Sequence, residues 1–400
     1  MTSNVFAKEY VNKFQRWSTF FRVMFCCLTI EKKKRAASLA VADWSELPKD
    51  LLSLISERLD NKLDLTRFRS VCSRWRSSIS NHHRILPFKL PLHKYPQPNK
   101  IYSNIKTSSS SCFLSKHSFF LIKPPPQQEQ TQHPWLIRIT QNSRGQTKLF
   151  PLCTRDSTPP YHFPYVIDFN QFSIIHLGTD FLADNNEEQL SCPKKIVAAT
   201  RHGKKPVLGT LNYLGHPVFL RCGDQNWTLI SDDMSMNFKD ICVFKDRFCA
   251  VNKFGRTVAI GPEDSSVELV AERLVDGGNM KFLVESEGGL LLVEIYDIFG
   301  FRLDVFRLDE KEKKWVKLTS LDDRVLFLGN GCSFSASASD LSIAEGNCVI
   351  IVDETFLPSG HGMCLFHLDG GSLSPLSDHP HHLNLFWPPP EWIVKMPQHS

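Results

Sequence analysis

The sequence predicts an α+β multidomain protein, in which a small helical module precedes a mostly antiparallel, all-β, propeller-like domain. Three observations predict it. Between Leu47 and Ile79, apolar residues recur at helical spacing, and beyond them that spacing stops. From about Trp135 onward, short apolar runs alternate with Gly, Asp and Asn turns at roughly 8–12-residue spacing, the pattern of a sandwich, barrel or propeller. Those runs also repeat weakly, with a period of roughly 45–60 residues and about four strands in each unit, which favours propeller blades over a sandwich.

The helical module opens at Leu47-Pro48. Proline suits the first turn of a helix, where its missing N–H has no partner to lose. LLSLISERL follows, with Leu51, Leu52, Ile55 and Leu59 at helical spacing, until Asp60-Asn61-Lys62 breaks the pattern. Asp64 is then a candidate N-cap for a second helical segment that runs to Ile79. A unit of this size buries little surface and needs support from a neighbour.

RFRSVCSRWRSSI, residues 67–79, interleaves four arginines with apolar residues. On a helical wheel with Phe68 at zero, Trp75, Ile79, Cys72 and Val71 fall within about 60° of it, while Arg69 and Arg76, and Arg67 and Arg74, lie near the two margins. A helix that reads DNA would gather its basic side chains on one exposed face. Here the apolar stripe is the main surface and the arginine stems widen it.

The β domain begins after a loop-like stretch. LPFKLPLHKYPQP, the serines 108–111 and KPPPQQEQTQHP have linker composition, with FFLI at 119–122 as a strand between them. The strands then come in order: WLIRIT, KIVAAT, PVFLRCG, WTLISDD, DICVFKDRFCAV, TVAIGP, VELVAERL, MKFLVESEGGLLLVEIYD, RLDVFRLD, WVKLTSL, NCVIIVDE and CLFHLDGG. Two units close alike, with Leu308-Asp309 leading to Trp315–Leu318 and Leu368-Asp369 leading to Ser372–Leu376. The expected organisation is a poorly ordered leader over 1–43, the helical module over 44–82, linker and first strands over 83–134, and the propeller over 135–400, beginning near 100.

Composition narrows the function. A 42% hydrophobic and 22% charged chain of 400 residues is ordinary for a globular protein of more than one domain. The net charge of +5 does not point to a nucleic-acid binder. Twelve cysteines are scattered with no C-x-x-C, so zinc is not signalled and buried free thiols are expected. The apolar run after Arg22 is far shorter than the roughly 20 residues that span a bilayer, so a membrane role is not expected. An interfacial helix, acylation of Cys26 and Cys27, or a mitochondrial-type leader are the alternatives for the N-terminus. Lys32-Lys33-Lys34-Arg35 is a candidate nuclear-entry patch, or solvated charge.

No catalytic signature stands out. Gly329-Asn330-Gly331 begins like a dinucleotide loop, but position 334 is Phe and no βαβ pattern surrounds it, so it reads as a tight turn between strands. G-x-S-x-G and H-E-x-x-H are absent. His379, His381 and His382 cluster in a Pro-containing turn, read as a polar loop with a metal site as the alternative. Cys332 has no His partner in a signature and reads as buried. Ser231-Asp232-Asp233 and Leu321-Asp322-Asp323 read as turns, since calcium needs several oxygen ligands in one loop. No cofactor is expected.

WSELPKDLLSLISERLDNKLDLTRFRSVCSRWRSSI resembles an F-box, in Leu47-Pro48, the Leu51/Leu52/Ile55 helix, Asp64-Leu65, Val71-Cys72 and Trp75-Arg76. The resemblance implies a three-helix module with a bend near Val71-Cys72, docking on the Skp-type adaptor of a cullin-RING (SCF) ubiquitin ligase. It implies adaptor-binding roles for Leu47, Pro48, Leu51, Leu52, Ile55, Leu65, Phe68, Val71, Cys72 and Trp75. The first of these, Leu47, Pro48, Leu51 and Leu52, would lie near the adaptor, with packing inside the module as the alternative for each residue. Phe68, Val71, Cys72 and Trp75 would be shared between the core and the interface. VLFLGNGCSFSASASDL, GNCVIIVDE and LSPLSDHPHHLNLFWPPPEWI resemble plant F-box proteins with a KIB-type, kelch-like β-propeller, the SKIP-type F-box family, over residues 160–393. That implies a non-enzymatic substrate receptor. Its partners would be the adaptor, cullin through it, and an unidentified target held by the propeller, in the nucleus or cytoplasm. A nucleic-acid binder using the arginine helix, an interaction propeller outside a ligase, and a propeller enzyme with an appended F-box are the alternatives.

Overall fold

The computed structural model describes residues 46–57, 68–69, 71–78, 89–91, 111–124, 133–141, 147–152, 172–184, 195–199, 206–212, 214–221, 223–230, 237–274, 278–296, 301–329, 333–352 and 362–394. The leader 1–43, Lys32–Arg35, Asp64, Leu65, Asp232, Asp233 and Cys332 lie outside them. The chain divides into two units, Met1–Ser80 and Asn81–Ser400.

In the first unit, α1 spans Lys49–Glu57. The Leu52 N–H donates to the Pro48 carbonyl at 3.0 Å, so the first turn is built over Pro48, as the proline predicts. A second helix, α2, spans Ser73–Ser78. Phe68 and Trp75 are buried with ring centroids 4.6 Å apart. Two turns of a straight helix would separate them by about 10 Å along its axis. The helical run is interrupted at Cys72. The single straight wheel over 67–79 is therefore corrected: Phe68 folds back on Trp75, and the two rings meet at a tilt in the core.

The second unit is built of strands in five packets among the described residues. The first holds β1 (Lys89–Pro91), β2 (Ser111–Lys123), β3 (Trp135–Gln141), β4 (Thr147–Pro151) and β5 (Ser173–Asp184), with β2 paired to β1, β3 and β5. The second holds β6 (Ile196–Ala199), β7 (Val207–Leu211), β8 (Pro217–Arg221) and β9 (Thr228–Leu229); among the described residues a single pairing, Phe181 of β5 opposite Ile196, joins it to the first in one nine-stranded sheet. The third and fourth are four-stranded meanders. They are β10 (Phe238–Phe244), β11 (Arg247–Asn252), β12 (Thr257–Ile260) and β13 (Val267–Ala271), then β14 (Met280–Ser286), β15 (Gly289–Tyr296), β16 (Arg302–Asp309) and β17 (Lys314–Lys317). The fifth holds β18 (Arg324–Leu328), β19 (Ser333–Ser337), β20 (Cys348–Ile351), β21 (Cys364–His367) and β22 (Ser372–Pro375), in the order β19-β18-β20-β21-β22, and its β18–β20 pair is parallel.

Apolar clusters fill every junction between packets. Leu114 and Phe181 meet Leu208 and Val218 between the first and second. Phe219 packs on Phe248 between the second and third, with centroids 4.3 Å apart. Gly209 permits that approach, since a Cβ there would lie 2.7 Å from the Phe248 ring. Cys249 and Val251 meet Leu290 and Leu292 between the third and fourth. Val284 and Val293 meet Leu326 and Val349 between the fourth and fifth. Phe119 stacks on Phe334 at 5.5 Å between the fifth and first. Among the described residues, five packets and five junctions close a ring, the arrangement of a β-propeller with five blades.

The ring is clasped by the C-terminal stretch. After a 3-10 turn at Leu376–Asp378 come α4 (Pro380–Leu383) and α5 (Glu391–Val394), preceded in the fifth blade by α3 (Ala338–Leu341). The Leu136 N–H donates to the Leu385 carbonyl at 2.8 Å, and Trp392 Nε1 donates to the His133 carbonyl at 3.1 Å. Phe386, fully buried, packs in one cluster with Phe327 of the fifth blade and Leu136 of the first. The LFWPPPEWI ending thus links the last blade to the first.

Candidate functional site

Helix α1 carries apolar side chains on two sides. Leu52 is wholly buried and forms the core of the first unit with Phe68 and Trp75, while Leu47, Ile55, Val71 and Cys72 pack half-buried against it. On the other side, Pro48 is exposed, Leu51 is 41% exposed and Leu54 is 51% exposed. At 100° per residue, Pro48, Leu51 and Leu54 share an arc of about 120°. Among the described residues, Leu51 and Leu54 stay exposed side by side on one short helix, which offers an apolar contact surface.

The residues expected at the adaptor therefore separate. Pro48 and Leu51 present themselves outward; Leu52, Phe68 and Trp75 hold the unit together. Leu52, expected near the adaptor or in the core, is wholly buried in the core of this unit. Leu65 lies outside the described residues. Leu54 was not expected, although its place three residues after Leu51 in LLSLIS puts it on the same arc.

Arg69, Arg74 and Arg76 are exposed. Arg74 Nη1 lies 2.9 Å from Glu46 Oε2, and Arg76 Nε donates to the Arg69 carbonyl at 3.2 Å. Among the described residues, Arg74 and Arg76 thus bond within the module.

In the propeller, polar groups on the inner strands bond across blades. Asp240 of β10 accepts from Lys195 Nζ at 2.6 Å, just before β6, and from the Leu283 N–H of β14 at 2.7 Å. Ser286 of β14 lies 2.9 Å from Ser335 of β19, which also accepts from Arg324 Nε at 2.9 Å. Lys281 and Glu294 form a fully buried ion pair within the fourth blade, where burial lowers the lysine pKa, and Glu294 also accepts from Tyr296 Oη at 2.8 Å. Burial pushes the Cys249 and Cys348 thiols up to about 12, away from the thiolate that nucleophilic chemistry requires.

The histidine cluster is not the polar loop expected. Pro380 starts helix α4, and His382 on it is buried, its Nε2 4.0 Å from Cys348 Sγ. His379 Nε2 lies 2.6 Å from Ser374 Oγ. Among the described residues, no three His, Cys, Asp or Glu are placed to hold a metal ion. Among them, too, no helix is long and apolar enough to cross a membrane.

Comparison with known proteins matches both units. The family described as KIB1-4 beta-propeller matches residues 91–367, and that described as F-box-like matches residues 44–85. The propeller match begins well before residue 160, where the resemblance in the sequence starts. F-box protein SKIP23 of Arabidopsis thaliana is 34% identical, over 88% of this chain and 96% of that protein. F-box protein At2g17036 of the same plant is 31% identical, over 88% and 95%. Its Putative F-box/kelch-repeat protein At5g24040 is 26% identical, over 88% and 98%.

Proposed function

This chain belongs to the F-box proteins that carry a KIB1-4 β-propeller, and on that premise we propose that it is a substrate-receptor subunit of an SCF ubiquitin ligase. The observation that carries the reading is the division of labour on α1. Leu52 holds the fold with Phe68 and Trp75, and Pro48, Leu51 and Leu54 are left outward as an apolar face for the Skp-type adaptor. The adaptor bridges to cullin, and the propeller holds a target protein. The chain itself makes and breaks no bond. It raises the target's effective concentration at the ligase's charged ubiquitin carrier and orients it, so a bimolecular transfer becomes nearly intramolecular. The work is done in the nucleus or cytoplasm.

The test is a pull-down of the full chain with purified Skp-type adaptor. Wild type binds. Leu51→Asp combined with Leu54→Asp loses binding while circular dichroism stays unchanged, because both side chains are exposed. Removing apolar contacts of this kind costs about 2 kcal/mol or more, roughly thirtyfold in affinity. Failure of the wild-type chain to bind adaptor ends the ligase reading.

A further inference from the structure

Two exposed turns in successive blades are built alike. Between β7 and β8, Asn212 Oδ1 accepts from the Leu214 and His216 N–H groups, both at 2.9 Å. Between β11 and β12, Asn252 Oδ1 accepts from the Phe254 and Arg256 N–H groups at 2.9 and 3.0 Å. In both, the glycine that follows the apolar residue has positive φ, 78° at Gly215 and 82° at Gly255, which closes the hairpin. The motif is Asn-x-apolar-Gly, and a variant with Asp in the first position, Asp297-Ile298-Phe299-Gly300, lies outside the described residues.

This construction fixes one apolar side chain at each tip. Leu214 is 47% exposed and Phe254 is 51% exposed. The two turns also grip the same dipeptide: the Phe238 N–H donates to the Gly215 carbonyl at 2.9 Å, and the Asn237 carbonyl accepts from the Lys253 N–H at 3.4 Å. The tips therefore stand side by side on rigid supports. An asparagine-braced turn needs no apolar residue at its tip, so the fold itself gives Leu214 and Phe254 no reason to be apolar.

Among the described residues the surroundings carry more basic than acidic side chains. Lys253 Nζ sits 4.7 Å from the Phe254 ring centroid, which puts a positive charge and an apolar ring at one spot. Lys239 is exposed at the β-bulge between Phe238 and Asp240, and a bulge re-aims the side chain it carries. Exposed Arg273 adjoins Leu274, whose N–H donates to the Phe254 carbonyl at 2.8 Å. Arg256 Nε is buried without a hydrogen-bond partner among the described residues. Against these stand exposed Glu272, and Asp240, which is buried and bonded to Lys195.

We propose that the Leu214 and Phe254 turns, with Lys239, Lys253 and Arg273, form the surface on which the propeller takes its target, and that the target offers an acidic protein segment studded with apolar side chains. The inference rests on the receptor reading above. Charge complementarity selects the acidic partner and the two tips supply the buried contacts. A protein segment is favoured over a nucleic acid because Leu214 offers no ring on which a base can stack.

The probes are three pools of short peptides with equal Leu, Phe and Trp content, the remaining positions being Asp/Glu, Ser/Gly or Lys/Arg, and a single-stranded oligonucleotide. Retention is measured on the full chain, on Leu214→Ser with Phe254→Ser, and on Lys253→Glu with Arg273→Glu. The acidic pool is held at least about tenfold better than the other two, and each double variant loses about that factor without a change in thermal midpoint. The proposal is overturned if the acidic pool has no preference, if its preference survives both variants, or if the oligonucleotide displaces it. An adaptor pull-down on the same preparations separates the two readings. Adaptor binding without peptide preference defeats this surface alone; peptide preference without adaptor binding supports the surface and defeats the ligase reading.

Discussion

Trp135 Nε1 donates to the backbone carbonyl of Phe386 at 3.2 Å, across 251 positions of sequence. The bond joins the first blade to the stretch that leaves the fifth, where the ring of blades must be held shut. Phe386 is fully buried between them. Phe386→Ala should cost about 3–5 kcal/mol, the range for removing a buried aromatic. Deleting residues 385–400 should go further, leaving the facing apolar surfaces of the first and fifth blades in water. Guanidinium unfolding and dye binding to exposed apolar surface read both effects. Unchanged midpoints in the two variants would show that the C-terminal stretch does not close the ring.

Asp240 stitches three blades, accepting from Lys195 Nζ and from the Leu283 N–H. Asp240→Ala strands the backbone donor of Leu283 and takes the carboxylate from Lys195, and breaking a buried pair from one side costs about 3 kcal/mol or more. Asp240→Asn keeps an acceptor for the Leu283 N–H and should cost less. Equal denaturation midpoints for the two variants would mean that Leu283 contributes nothing to the joint.

Much of this was legible in the chain, for a physical reason. The runs from WLIRIT to CLFHLDGG fold as strands because their β-branched and aromatic residues suit pleated surfaces buried between blades. Leu47-Pro48 and the Leu51/Leu52/Ile55 spacing identified the helix. Local spacing could not decide which leucine faces in: Leu51 and Leu52 are adjacent, and only Phe68 and Trp75, brought round by the break at Cys72, select Leu52. The blade count was hidden because the blades are not wound alike. The inner strand β5 follows the rest of its blade, and the parallel β18–β20 pair places β19 innermost out of sequence order. The turns at Leu214 and Phe254 did leave a signal, Asn-x-apolar-Gly at NYLG and NKFG. A search by strand content passes over it.

Leu52 and Leu54 should fail in different ways. Leu52→Ala opens a cavity beneath Phe68 and Trp75 and should cost about 3 kcal/mol in a unit too small to absorb it. Leu54→Asp, on the exposed side, should leave stability within about 0.5 kcal/mol. Hydrogen exchange across residues 49–78 of the full chain distinguishes them: protection collapses in Leu52→Ala and persists in Leu54→Asp. Equal protection in the two variants would contradict the assignment of Leu52 to the core.

His382 couples acid to the ring closure. It is buried on α4, immediately before the closing stretch, with His379, His367 and His381 around it and Cys348 Sγ beside its Nε2. Burial, then the charges of the neighbouring histidines, lower its pKa from 6.5 to about 4. The native state thus holds the neutral imidazole, while the unfolded chain takes up a proton near its ordinary pKa. Stability is complete above about pH 6.5 and declines as pH falls toward 4, by at most about 1.4 kcal/mol per pH unit from this group. Carboxylates titrate over the lower part of the same window, so the measurement is a difference: denaturation midpoints of wild type and His382→Gln across a range of about four units, from about pH 7.5 to about pH 3.5, which spans both values. The wild-type profile should fall more steeply below pH 6.5, and hydrogen exchange at residues 383–393 should rise over the same interval in wild type alone. Parallel profiles would show that the imidazole takes up its proton without strain, and that acid does not reach the clasp through His382.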